Sequence, residues 1–164
     1  MHMFDSQVID SIRRCLIAKE ETVAVAESVT SGLLQLGLST AENASAFYQG
    51  GLTAYNLGQK YRHLKVEPIH AEVHNCVSQK VAEQMATAVC SMFCSDWGVG
   101  ITGYATPVPE SANKVFAYYA IALRGKIITA DRIDAEPDNP FQVQRLFVKQ
   151  LLQQLDSFIQ AHYC

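Results

Sequence analysis

The sequence has few charged residues, no cysteine pair with metal or redox spacing, and no long apolar run. Charged side chains make up 18% of its 164 residues, and 13 Lys+Arg against 16 Asp+Glu give a net charge of −3. Such a balance provides no basic surface, so we expect neither nucleic acid nor an anionic membrane as a partner. No apolar run approaches the roughly 18 residues that a membrane-spanning helix needs. We therefore expect no membrane association.

The number and spacing of the cysteines indicate the cellular compartment of the protein. The five cysteines are odd in number, lack C-x-x-C spacing, and follow no charged-then-apolar signal segment. These features favour a reducing environment, so we predict a cytoplasmic protein.

The length and hydrophobic content predict one domain over residues 1–164, because a domain typically spans roughly 150 residues. Hydrophobic residues make up 49% of the chain, enough for a sizeable core without disulfides or a structural metal. The low charged fraction also fits self-association, so a homo-oligomer is one expectation.

Hydrophobic periodicity predicts helices that alternate with strands early in the chain, followed by a late hairpin. This order predicts an α/β fold, a mixed sheet covered by helices on both faces. The predicted helices cover residues 4–18, a segment from 33, a segment from 56, 78–94 and 140–161. The predicted strands cover residues 22–26, 47–55, 97–102, 115–123 and 126–133.

Ser28 follows the first predicted strand in a polar turn, just before a helix. Ligands of open α/β sheets bind beyond the carboxyl ends of strands, and a helix N-terminus offers free N–H groups. An exposed hydroxyl at this place is a candidate nucleophile. The local sequence also fits a simpler interpretation, in which Ser28, Thr30 and Ser31 are cap and turn residues only, because no G-x-S-x-G surrounds them.

Tyr55 and Lys60 lie five residues apart across the second predicted strand-to-helix junction. A lysine acts as a general base only where burial lowers its pKa toward neutrality, and a neighbouring tyrosine can hold or relay the proton. Ser28, Lys60 and Tyr55 would then activate a hydroxyl without histidine. The alternative is a surface lysine beside a packed tyrosine.

His70, Glu72, His74 and Cys76 recur at every second position. On a strand this spacing would place four metal-capable side chains on one face. The segment starts with Pro68, however, and fits a short helical turn equally well. We predict no metal site.

Gly98, Gly100 and Gly103 match the order G-x-G-x-x-G. In a phosphate-binding loop these glycines would open a helix, whereas here the first two lie before or inside a strand. The match is therefore weak.

Four blocks in this order resemble the C-terminal domain of the CinA (competence/damage-inducible) family, whose members include nicotinamide-nucleotide amidases. The turn Glu27-Ser28-Val29-Thr30-Ser31-Gly32 resembles the family's ESCTGG. The segment from Gly51 through Tyr55 and Asn56 to Lys60 is similar to G-x-x-x-Y-x-x-x-x-K. Val77-Ser78 with Val81-Ala82 and Met85-Ala86 is similar to VS-x-x-VA-x-x-MA, and the strand from Trp97 to Gly103 ends in the family's ITG.

The resemblance implies a three-layer α/β/α fold with a mixed, mostly parallel sheet. It also implies an amidohydrolase that deamidates nicotinamide mononucleotide to nicotinate mononucleotide and ammonia, with no cofactor and no metal. Ser28 would be the nucleophile, Lys60 its base, and Tyr55 the partner that orients or relays the proton. N–H groups of residues 30–32 would hold the oxyanion. The substrate-binding residues implied are Glu27, Thr30, Ser31, Gly32, Gly51, Asn56, Thr102, Gly103 and Arg145.

The chain departs from the family pattern around the proposed phosphate. A glycine-rich, GPGG-like loop normally follows ITG, whereas residues 104–114 here contain no glycine and include Glu110. Ser31 stands where the family has glycine, and the family's R-x-x-x-R pair is present only as Arg145, with Phe141 at the earlier position. These changes fit an amidase with a different substrate. They also fit a catalytically silent paralogue that binds a nucleotide or a partner, or a structural domain that self-associates.

Overall fold

Five strands and six α-helices make up the part of the chain that the computed structural model describes, residues 2–163. The strands are β1 Val23–Glu27, β2 Tyr48–Thr53, β3 Trp97–Tyr104, β4 Val115–Leu123 and β5 Lys126–Ala135. The helices are α1 Ser6–Ala18, α2 Leu33–Ser39, α3 Leu57–Leu64, α4 Pro68–Val73, α5 Gln79–Phe93 and α6 Pro140–Tyr163.

The strands form one sheet in the order β2-β1-β3-β4-β5. Strand β1 pairs in parallel with β2 and β3, and β4 pairs antiparallel with β3 and β5. Four of the five strands therefore run in one direction, which confirms the prediction of a mixed, mostly parallel sheet. The carboxyl ends of β1, β2 and β3 meet at one edge, the place where open α/β sheets bind ligands.

Alternate residues of β1 face opposite layers of helices. Val23 and Val25 pack in the core cluster that contains α1, α2 and α6, whereas Ala24 and Ala26 pack with α3, α4 and α5. All five residues of β1 are buried, as expected for a strand covered on both faces. The three-layer arrangement is confirmed.

Two glycines of β3 allow α5 to approach the sheet. A Cβ atom at Gly98 would lie 2.4 Å from the Ala86 carbonyl oxygen, and one at Gly100 would lie 2.5 Å from the Ala82 carbonyl oxygen. Both contacts are with helix backbone, which cannot move aside easily. These glycines serve packing and open no helix.

Side-chain caps explain where the helices nearest the site begin. Asn56 Oδ1 accepts a hydrogen bond from Gln59 N at 3.0 Å, and Ser78 Oγ accepts one from Val81 N at 3.2 Å. Strand β2 bulges between Tyr48 and Gly50, where the pairing with β1 skips one residue. The predicted helix starts are confirmed.

The segment that contains His70 and His74 is helical, so the strand interpretation of its every-second-residue pattern is wrong. The two imidazole rings stack with their centroids 4.0 Å apart, one helical turn from each other. No group of three metal-capable side chains comes together within residues 2–163. Across the same residues, no helix is both long and apolar enough to cross a bilayer.

Candidate active site

Ser28 lies directly after β1, at the ligand-binding edge of the sheet. Its N–H donates a hydrogen bond to the Ile101 carbonyl at 3.1 Å, so the pairing with β3 continues into the turn. The residue is only 6% exposed. Its carbonyl also accepts a hydrogen bond from Ser31 N–H at 3.1 Å, so the main chain of Ser28 is held on both sides.

Lys60 reaches Ser28 from the first turns of α3. Its Nζ donates hydrogen bonds to Ser28 Oγ at 2.9 Å and to the Tyr55 carbonyl oxygen at 3.1 Å. The residue is 1% exposed, and no carboxylate in residues 2–163 lies within ion-pair distance of it. Burial lowers the pKa of Lys60, although the interaction with the Cys76 thiol opposes part of this change. A neutral amine can accept the serine proton, so this environment suits a general base.

Tyr55 contacts Lys60 through its main chain. The carbonyl accepts the lysine's second hydrogen bond, whereas the side chain is 73% exposed. The sequence analysis grouped Tyr55 with Ser28 and Lys60, and in the structure Tyr55 contacts the lysine amine through its main-chain carbonyl. A role for the phenol in proton relay stays a prediction.

Glu27 supports the turn from beneath. The fully buried carboxylate accepts hydrogen bonds from Thr30 Oγ1 at 2.5 Å, from Leu34 N at 2.8 Å and from Gln35 N at 3.0 Å. It thereby satisfies two N–H groups at the start of α2, where backbone donors have no helical partner. Glu27 and Thr30 were predicted to bind substrate, and their contacts here fix the loop that carries Ser28.

The backbone of the turn leaves selected N–H groups available. Ser31 adopts a left-handed conformation with φ 53°, so serine keeps the shape that glycine would allow. Its N–H donates to the Ser28 carbonyl at 3.1 Å. Within residues 2–163, the N–H groups of Val29, Thr30 and Gly32 donate no hydrogen bond. Of these three residues, Val29 alone lines the cavity beside Ser28, so its N–H is the candidate for holding an oxyanion, whereas the N–H of Ser31, also predicted for that task, is already engaged.

A cavity of about 590 Å³ opens beside Ser28 and Lys60. Three of the predicted substrate-binding residues, Asn56, Thr102 and Gly103, line it. Thr102 is 1% exposed, and its hydroxyl donates to the Cys76 carbonyl at 2.7 Å. The predicted residues that do not line it are Glu27, Thr30, Ser31, Gly32, Gly51 and Arg145.

Arg145 lies at a different place. It belongs to α6, donates from Nη1 to Gln142 Oε1 at 3.3 Å, and lines a separate cavity of about 470 Å³ beside the start of α1. The cavity beside Ser28 therefore receives no charge from this arginine.

The structure adds residues to the site that the sequence analysis did not assign to it. Cys76 lies between α4 and α5 with φ 62°, and burial raises the pKa of its thiol while the charge of Lys60 opposes that rise. The other additions are Glu72, Asn75, Tyr104 and Gln144. They come from three elements and one loop, so no local motif links them. Glu110, noted as a departure from the family pattern, also lines the cavity.

Comparison with a family model matches residues 5–159 to the CinA C-terminal domain. A CinA-like protein of Acaryochloris marina is 37% identical over 128 residues, which are 76% of this chain and 30% of that protein. A CinA-like protein of Thermosynechococcus vestitus is 38% identical over 123 residues, again 30% of its length. The chain thus spans about a third or less of the curated relatives it matches.

Solved structures share the fold over nearly the whole chain. A CinA superfamily protein from Klebsiella pneumoniae has a TM-score of 0.90 at 25% identity and covers 99% of this chain and 100% of its own. A second one, from Escherichia coli, has a TM-score of 0.85 at 28% identity, with 92% and 87% covered. These likenesses agree with the strand order and layers described above.

Proposed function

The chain belongs to the CinA C-terminal domain family, and we propose that it is an amidohydrolase that releases ammonia from the carboxamide of a nicotinamide mononucleotide-like substrate. The observation that carries this proposal is the 2.9 Å contact between Lys60 Nζ and Ser28 Oγ, two buried residues that line the cavity. A serine beside a buried lysine is a nucleophile with its base.

In the first step, neutral Lys60 accepts the hydroxyl proton of Ser28 while Oγ attacks the carboxamide carbon. The carbonyl oxygen becomes an oxyanion, which the free N–H group of Val29 is suited to stabilise. As the tetrahedral intermediate collapses, the C–N bond breaks and Lys60 returns the proton to the leaving nitrogen. Ammonia departs and an ester remains on Ser28.

In the second step, water attacks the ester carbonyl, and Lys60 accepts one of its protons. The bond to Oγ breaks, the proton passes back to Ser28, and the carboxylic acid leaves. Throughout the cycle the Tyr55 carbonyl holds the Lys60 amine in place by its hydrogen bond. The lowered pKa of Lys60, which follows from its burial, favours the neutral amine that both steps need.

Ammonia release from nicotinamide mononucleotide and related pyridinium carboxamides tests the proposal. We expect turnover by the wild type and none by Ser28→Ala. The matched control is Ser31→Gly, which removes another hydroxyl from the same turn and keeps a left-handed position that glycine accepts readily. Equal turnover by the wild type and Ser28→Ala would contradict the mechanism. Ligand-dependent thermal stabilisation without any turnover would instead indicate a binding module.

A further inference from the structure

Two carboxylates lie where the cavity beside Ser28 meets a second cavity. Glu72 of α4 and Glu110 of the loop after β3 line both the first cavity and the second, which has a volume of about 540 Å³. Ser28 and Lys60 line the first cavity only. The carboxylates therefore flank the path that leads outward from the nucleophile.

Among the described residues that line that path, neither lysine nor arginine lies beside these carboxylates. Among the described residues that line the first cavity, Lys60 alone is cationic, and it lies at the inner end beside Ser28. The second cavity contains His74 but neither lysine nor arginine among its described lining residues. Arg145 lines the separate cavity near α1, and residue 141, next to the cavity-lining Pro140, is phenylalanine.

Aromatic side chains line the same cavities as the two carboxylates. Tyr104 lines both cavities and Phe116 lines the second, and their ring centroids are 5.5 Å apart. The guanidinium carbon of Arg132 lies 3.6 Å from the centroid of the Phe116 ring. Asp134 Oδ1 lies 2.8 Å from Arg132 Nη2 and compensates the charge of the arginine. Carboxylates beside aromatic rings attract organic cations and repel phosphate.

We propose that this site selects a cationic carboxamide without a phosphate group, such as an N-substituted pyridinium carboxamide. This inference rests on the proposed function and names the substrate class of the same site. The amide reaches Ser28 at the inner end, and the positive ring lies between Ser28 and the two carboxylates. A phosphate monoester on the same ring would extend outward to Glu72 and Glu110, where its charge of nearly −2 at neutral pH is repelled.

Two ligands that differ by the phosphate alone test the selection: nicotinamide riboside and nicotinamide mononucleotide. Their dissociation constants are measured by calorimetry on Ser28→Ala, which is expected to bind without turnover. At low salt we expect the riboside to bind roughly tenfold more tightly, because several unit charges interact across partly screened water. In 0.5 M salt the ratio should fall toward one.

Removing the two negative charges tests whether Glu72 and Glu110 cause the preference for the riboside. Glu72→Gln and Glu110→Gln, introduced together in the Ser28→Ala protein, should weaken the riboside, strengthen the mononucleotide and bring the two constants close together. Glu136→Gln, an exposed carboxylate that lines neither cavity, should leave the ratio unchanged. Both glutamates of the pair are exposed, so their substitution should not impair folding.

The outcomes separate this inference from the proposed function. A mononucleotide that binds as tightly as the riboside, a ratio unaffected by the double substitution, or binding of neither ligand would overturn the inference. Riboside preference on Ser28→Ala combined with no ammonia release by the wild type from either compound would refute the proposed function instead. A higher kcat/KM for ammonia release from the mononucleotide than from the riboside would support the proposed amidohydrolase activity. It would refute the proposed selection against a phosphate group.

Discussion

Lys60 is buried without a carboxylate partner, so its replacement should change how stability depends on pH. Unfolded, this lysine keeps its proton up to its ordinary pKa of 10.5, whereas burial lowers the pKa of Lys60 in the folded protein. Between these two pKa values the unfolded chain binds more protons, so the free energy of unfolding of the wild type rises with pH. Lys60→Met fills a similar volume without charge and removes this dependence.

The expected size follows from linkage. The free energy of unfolding of the wild type, minus that of Lys60→Met, should rise with pH by up to about 1.4 kcal/mol per pH unit inside that window. Lys60→Met also loses the hydrogen bonds to Ser28 and Tyr55. We expect this loss to lower the free energy of unfolding by the same amount at every pH, so it does not alter the slope.

Urea unfolding at a series of pH values from 7 to 10 measures this difference. Trp97 is the only tryptophan of the chain and is fully buried, so its fluorescence reports unfolding. Lys80→Met, at an exposed position of α5, controls for the loss of one positive charge. A difference that stays constant from pH 7 to 10 would refute the lowered pKa and, with it, the role of Lys60 as a base.

Three further predictions concern packing and the support of the site. Gly100→Ala should reduce the free energy of unfolding by about 1–3 kcal/mol, because its Cβ would meet helix backbone. Gly58→Ala in α3, where the added Cβ would make only an ordinary contact of 3.6 Å with Asn56 Oδ1, should raise the free energy of unfolding by up to about 1 kcal/mol in the same urea assay. Glu27→Gln should cost about 1–3 kcal/mol, because an amide cannot accept all three buried hydrogen bonds, and destabilisation below this range would contradict its supporting role. Tyr55→Phe should keep most of the wild-type kcat, since the contact with Lys60 uses the main chain; a loss as large as that of Ser28→Ala would assign the proton relay to the phenol.

The order of elements was predictable because local signals agreed with the fold. Ser78 and Asn56 mark helix starts by their caps, and the apolar residues 23–26 of β1 indicate burial on both faces. The segment around His70 was ambiguous because its residues fit either a two-residue or a helical repeat. Glu67 decides the matter, since its carboxylate caps α4 through Ile69 N and His70 N.

The candidate site was predictable only in its inner part. Ser28 and Lys60 stand in recognisable blocks, and their 2.9 Å contact follows from adjacent parallel strands ending at one edge. The outer part depends on tertiary structure. Glu72 and Glu110 are 38 positions apart in the sequence and line the same cavity because a helix and a loop cover the same edge of the sheet. The support role of Glu27 also required the structure, because its partners at residues 34 and 35 lie on the next helix.

The most direct test of the account is to trap the acyl-enzyme on Ser28. Wild-type protein is mixed with a pyridinium carboxamide substrate, quenched in acid within the first turnover, and digested for peptide mass measurement. The account predicts a mass increase equal to the acyl group on the peptide that contains Ser28, absent in Ser28→Ala and retained in Ser31→Gly. Ammonia release by a wild type that forms the adduct on Cys76, or forms none under rapid quench, would contradict the serine–lysine mechanism.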